Sequence, residues 1–87
     1  MARIIVNSFL REALGDKAAT LPSDTCLEMS ATTMRGLLTM LELQYPGSRR
    51  ILSRAAVAID GDIYTNVLAE TLTDDNELVF IAAIEGG

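Results

Sequence analysis

The period of the hydrophobic positions changes several times along the chain, and each change marks an element. Residues 3–9 are rich in β-branched and aromatic side chains. They alternate so that Ile4 and Val6 fall on one face and Ile5 and Phe9 on the other, which predicts a first strand. Residues 10–22 carry Gly15-Asp16-Lys17 and Pro22-Ser23-Asp24, turn residues that bracket a connection. A second, short strand is expected over about residues 25–29. The period then switches to helical: Met34, Leu37, Leu38 and Leu41 recur at i, i+3, i+4 and i+7, behind Ser30, Thr32 and Thr33, which offer N-cap oxygens. Pro46 disfavours a helical residue before it, so this helix should stop near Tyr45, with Gly47 reversing the chain. Gly36 inside it costs roughly 1 kcal/mol relative to Ala, and a close approach to the sheet is the expected reason.

A basic connection over residues 47–54 leads to an apolar strand over 55–60, and Asp60-Gly61 is a hairpin signal that returns the chain along residues 62–65. Thr73-Asp74-Asp75-Asn76 then turns into a last strand, Glu77–Ile81. The order β, β, α, β, β, β predicts an α+β domain, a four- to five-stranded sheet with one main helix packed on one face. Leu78 and Phe80 share the helix-side face with Ile4 and Val6. Val79, Ile81, Ile5 and Phe9 then point away from it, an apolar patch of the kind that marks a partner surface.

Composition narrows the chemistry. Eighty-seven residues with 7 Lys+Arg, 12 Asp+Glu and a net charge of −5 fit one small acidic domain. A nucleic-acid partner is disfavoured, because Lys and Arg supply most of that affinity. With no His, the commonest general base and metal ligand is missing, and a His-dependent triad is excluded. The single cysteine, Cys26, cannot form an internal disulfide, and it reads as a small buried hydrophobe in the second strand. The longest apolar run, from Val79 to Ile84, is six residues, far below the roughly 20 that span a bilayer. No membrane partner and a cytoplasmic location are expected. Arg49, Arg50 and Arg54 place three of the seven basic residues in one connection, which reads as a solvated loop, with a contact to a phosphate or to an acidic partner surface as the alternative. Asp60, Asp62, Asp74, Asp75 and Glu77 lie in two separate turns without metal-ligand spacing, so no metal site is expected.

Four segments in this order resemble the MoaD/ThiS family of ubiquitin-like sulfur carriers over essentially the whole chain. Leu10-Arg11-Glu12-Ala13-Leu14-Gly15 is similar to the family's post-strand segment, and Thr33-Met34-Arg35-Gly36-Leu37-Leu38 to its helix opening. Val57-Ala58-Ile59-Asp60-Gly61 is similar to its hairpin, and the run from Leu72 to Ile81 to its last strand. The sequence closes on Gly86-Gly87. There are two departures: Ala82-Ala83 stands where the family commonly has Pro-Pro, and Asp75 where it has Gly, a substitution that asks Asp75 or Asn76 for a turn conformation Gly accepts more easily.

The resemblance implies a β-grasp domain over residues 1–82 with a flexible tail over 83–87. It also implies that the Gly87 carboxylate is the reacting group, carried on Ile84, Glu85 and Gly86. A carboxylate with pKa about 3.3–3.7 is ionised at neutral pH and is a poor electrophile. It must therefore gain a leaving group before sulfur can displace it. An E1-like adenylating enzyme of the MoeB/ThiF type supplies that activation with ATP, and a sulfur donor protein completes the thiocarboxylate. The carrier itself binds no cofactor and holds no complete active site. Five tail residues reach roughly 17 Å into a partner. Ile81, Val79, Phe9 and Arg11 are the expected partner contacts. The implied role is the sulfur-donating small subunit of molybdopterin synthase beside a larger MoaE-type catalytic subunit. Carriers for thiamine, cysteine or tRNA thiolation, a ubiquitin-like protein modifier and an inert interaction module are the alternatives.

Overall fold

The last strand expected from the sequence, Glu77–Ile81, lies at the middle of the sheet. The computed structural model describes residues 1–83. In chain order these form β1 (Ala2–Ile5), α1 (Ser8–Leu14), β2 (Cys26–Met29), α2 (Met34–Gln44), α3 (Ser48–Leu52), β3 (Ala56–Ile59), β4 (Asp62–Tyr64) and β5 (Glu77–Ile81), with short 3-10 turns at Asp16–Ala18 and Val67–Ala69. The strand order is β2-β1-β5-β3-β4. β1 and β5 are parallel, with Ile4 opposite Leu78, and the other pairs are antiparallel. This mixed five-stranded sheet with helices on one face is the expected α+β, ubiquitin-like β-grasp architecture.

The core follows from the two periodicities. Ile4, Val6, Leu78 and Phe80 are fully buried on one face of the sheet, where they meet Met34, Leu37, Leu38 and Leu41 of α2. α2 begins where the Thr33 hydroxyl accepts the Gly36 N–H at 3.0 Å. Gly36 does not approach the sheet: a Cβ there would lie 3.1 Å from the Thr33 hydroxyl oxygen, so the space it leaves belongs to the helix cap. Asp60 and Gly61 both have positive φ, 51° and 92°, which places both central residues of the β3–β4 turn in the left-handed region. Asp75 also has a positive φ, 70°, and takes the conformation in which the family has Gly.

Two helices replace expected irregular segments. The first strand ends at Ile5, and Asn7 opens α1 by accepting the Leu10 N–H on its side chain at 2.8 Å. Leu10, Ala13 and Leu14 then bury one helical face. Phe9 therefore belongs to a helix, not to the strand on which alternation placed it. The basic connection likewise contains α3, with Ser48 and Leu52 buried one turn apart. Its start is held by the Glu42 carboxylate, which accepts the N–H groups of Gly47 at 2.9 Å and Arg49 at 3.0 Å. Cys26 is exposed, not a buried core residue. β2 is an edge strand and Cys26 pairs with Ile5 on the sheet face away from α2, which leaves its thiol uncovered among the described residues.

Candidate functional site

Two surfaces converge where the chain leaves β5. One is the open face of the sheet. The strand registers pair Cys26 with Ile5, and Val79 and Ile63 with Ala58. Continuing the parallel β1–β5 register by one residue sets Ile5 beside Val79. One row, Cys26-Ile5-Val79-Ala58-Ile63, thus crosses all five strands. Ile5, Val79 and Ala58 are half-buried and Ile63 is 64% exposed. Half-buried Ile81, paired with Ala56, extends the row toward the tail. Alternation along β1 and β5 requires this face, because each residue sent to the core leaves its neighbour outside.

The second surface is a shallow groove between α1, α3 and the residues that follow β5. Phe9, Ile51 and Ala55 line its apolar part, Ala82 and Ala83 form the wall nearest the tail, and Arg50 and Arg54 contribute the charge. Half-buried Phe9 packs against the core from α1. Ile51 remains 44% exposed, which is unusual for so large an apolar side chain.

Val79 and Ile81 thus share the open face as expected from alternation. Phe9 does not join them; it stands at the tail root through the groove. Arg11 lies on α1, where its guanidinium donates to the Ser23 hydroxyl at 2.7 Å and to the Leu21 carbonyl at 3.4 Å, tying the segment before β2 to this helix. Ile84, Glu85, Gly86 and Gly87 lie outside the described residues. Sequence reasoning missed Ile51, Arg50 and Arg54 as groove residues. The available signal was the buried pair Ser48 and Leu52 at helical spacing, but α3 is only five residues long.

The entry to β5 is fixed by a polar cluster. The Asp60 carboxylate accepts the Glu77 N–H at 2.9 Å and Asn76 Nδ2 at 2.6 Å, while Asn76 Oδ1 accepts the Thr73 N–H at 2.6 Å. The Glu77 N–H, then Asn76 and the charge of Arg3, hold the Asp60 carboxyl below its ordinary range. Asp60 therefore holds the turn in place and is not simply a solvated surface acid. Among the described residues no cluster of three His, Cys, Asp or Glu could hold a metal ion, and no helix is long and apolar enough to cross a membrane.

A sequence model described as ThiS family matches residues 4–87. No curated protein matches the chain. The fold is similar to that in the crystal structure of Mycobacterium tuberculosis CysO, an antigen, with a TM-score of 0.67 and 16% identity over 97% of this chain and 100% of that one.

Proposed function

This chain belongs to the ThiS family of ubiquitin-like sulfur carriers, and from that premise we propose that Gly87 is its reacting residue. In this reading an oxygen of the Gly87 carboxylate attacks the α-phosphorus of ATP on an E1-like activating enzyme, and pyrophosphate leaves. A sulfur nucleophile from a donor protein then attacks the acyl carbon, AMP departs, and reduction of any remaining S–S bond by a thiol reductant releases the thiocarboxylate. The carrier supplies no catalytic group. The acceptor we assign is the large MoaE-type subunit of molybdopterin synthase, where the thiocarboxylate donates its sulfur.

The observation that carries this reading is the apolar row across the open face, which runs on through Ile81 to the chain leaving β5. A partner that covers Val79, Ile81 and Ile63 is thereby set beside the path of the tail. Gly86 and Gly87 lack Cβ atoms and suit a narrow channel. High-resolution intact mass with C-terminal fragmentation, on protein from cells that retain the activation machinery, is the test. Replacement of oxygen by sulfur on Gly87 is the expected result. Fragments are needed because methionine oxidation has nearly the same nominal mass, and the chain has 4 Met. An unmodified carboxylate beside an activating enzyme that thiolates a known carrier would overturn the reading, and isopeptide conjugates of Gly87 would indicate a protein modifier.

A further inference from the structure

The groove between α1 and α3 has a chemistry that the open sheet face lacks. Three of the chain's 7 basic residues, Arg49, Arg50 and Arg54, fall within one short segment, although the net charge is −5. Arg49 lies beside Glu42, whose carboxylate accepts its N–H. Arg50 and Arg54 instead line the groove, both exposed, and neither forms an ion pair among the described residues. Between them lies Ile51, 44% exposed, beside Phe9. Two forked cations next to an apolar floor match a segment that offers carboxylates around an apolar side chain.

We propose that this groove is a second docking site, taken by an acidic segment with an apolar anchor on the E1-like activating enzyme that adenylates the tail. The partner assignment rests on the sulfur-carrier reading; the recognition chemistry does not. Charge complementarity selects this occupant, because on a chain of net charge −5 the two groove arginines, Arg50 and Arg54, together offer an acidic segment a local attraction. Location supports it, since Ala82 and Ala83 form one wall, so a segment seated here touches the root of the tail. The open sheet face then provides apolar contact area while Arg50 and Arg54 set orientation and encounter rate.

The test has two arms, both on the full chain. In the first, the 15N-labelled protein is titrated with a synthetic peptide of Glu and Asp flanking two Leu, with its Gln/Asn counterpart as control. The acidic peptide should shift the amide signals of Phe9, Ile51 and Ala82, with Kd of about 1 mM or tighter. The control peptide should shift none of them, and neither peptide should act on the R50E/R54E variant. Equal shifts from both peptides, or unchanged shifts in the variant, would overturn the proposal. Inorganic phosphate that reproduces the full set of shifts would overturn it in favour of a simple anion site.

In the second arm, pyrophosphate release by the activating enzyme is measured against carrier concentration. R50E/R54E should raise KM about tenfold with kcat changed less than about twofold, and added salt should raise KM for wild type far more than for the variant. A melting curve like that of wild type shows that the variant is folded. Equal KM values for the two folded proteins would overturn the docking assignment and leave the sulfur-carrier reading standing. Wild type that is never activated would overturn that reading, while the peptide arm still judges the groove.

Discussion

Asn7 and Phe80 stand 73 positions apart and are joined by one hydrogen bond, in which Asn7 Nδ2 donates to the Phe80 carbonyl at 2.9 Å. The same Asn7 amide accepts the Leu10 N–H through its oxygen. One side chain therefore caps α1 and ties it to the strand that leads into the tail, which sets Phe9 beside Ala82.

Replacing Asn7 separates these two duties. Asn7→Ala should cost about 1–3 kcal/mol, since it removes the cap and leaves the Phe80 carbonyl without its partner. Asn7→Asp keeps the acceptor for the cap but loses the donor. Both should lower the urea midpoint at unchanged m value, and Asn7→Asp should in addition broaden the amide signals of Phe9 and Ala82. An Asn7→Ala variant as stable as wild type would show that neither bond contributes.

Two aspartates with positive φ should respond oppositely to glycine. Asp75, at φ 70°, makes no side-chain hydrogen bond among those described, so Asp75→Gly relieves left-handed strain and should raise stability by up to about 1 kcal/mol. Asp60, at φ 51°, holds Asn76 and the Glu77 N–H. Asp60→Gly leaves Asn76 Nδ2 unpaired and should lower the melting temperature by several degrees, about what 1 kcal/mol does in a domain of this size. Calorimetry on both variants gives the two signs.

Acid should weaken the fold through Asp60 and Glu42. Both carboxyls are held below their ordinary values of 3.8 and 4.5, Asp60 chiefly by the Glu77 N–H and Glu42 chiefly by the N–H of Gly47 and then of Arg49. A depressed folded-state pKa means that the unfolded chain binds protons first. The stabilisation is complete above these ordinary values and is lost as pH falls through the lower folded values. Urea midpoints taken stepwise from neutral pH to below pH about 3 should fall for wild type. The decline should be shallower for the Asp60→Asn, Glu42→Gln double variant. Equal slopes would show that other groups govern acid unfolding.

Ser48 is fully buried and its hydroxyl has no partner among the described residues. Ser48→Ala removes an unsatisfied polar group at nearly constant volume, so stability should hold or rise by up to about 1 kcal/mol. A loss of that size in denaturant melts would show that the hydroxyl has a partner, such as a bound water.

On the open face, Ile63→Glu places a charge on a residue that is 64% exposed and should leave the melting temperature nearly unchanged. Affinity for the activating enzyme should fall about tenfold if the partner covers this row. Ile81→Ser combined with Phe9→Ser touches both surfaces and should weaken binding further. Its cost in stability will exceed that of Ile63→Glu, because both residues are half-buried and Phe9 packs on the core. Unchanged affinity in calorimetric titrations of both variants would place the partner elsewhere.

What was legible in the chain was whatever local chemistry and a repeated period decide together. α2 was visible because four apolar residues at helical spacing follow a capping threonine, and the β3–β4 turn because Asp60-Gly61 tolerates two positive φ angles. The buried set Ile4, Val6, Leu78 and Phe80 followed from alternation alone. α1 and α3, at seven and five residues, are too short for periodicity to outweigh neighbouring strand and turn signals. α1 is held by Asn7 reaching Phe80, a contact that no local window relates, and α3 by the Glu42 carboxylate reaching Gly47 five residues on, across the Pro46-Gly47 stop signal. The exposure of Cys26 was equally hidden, since alternation says which residues share a face and not which strand stands at the edge. Only the folded sheet puts Phe9, Ile51, Arg50 and Arg54 around the root of the tail, because burying the apolar sides of two short helices against the same core leaves their remaining faces to form one groove.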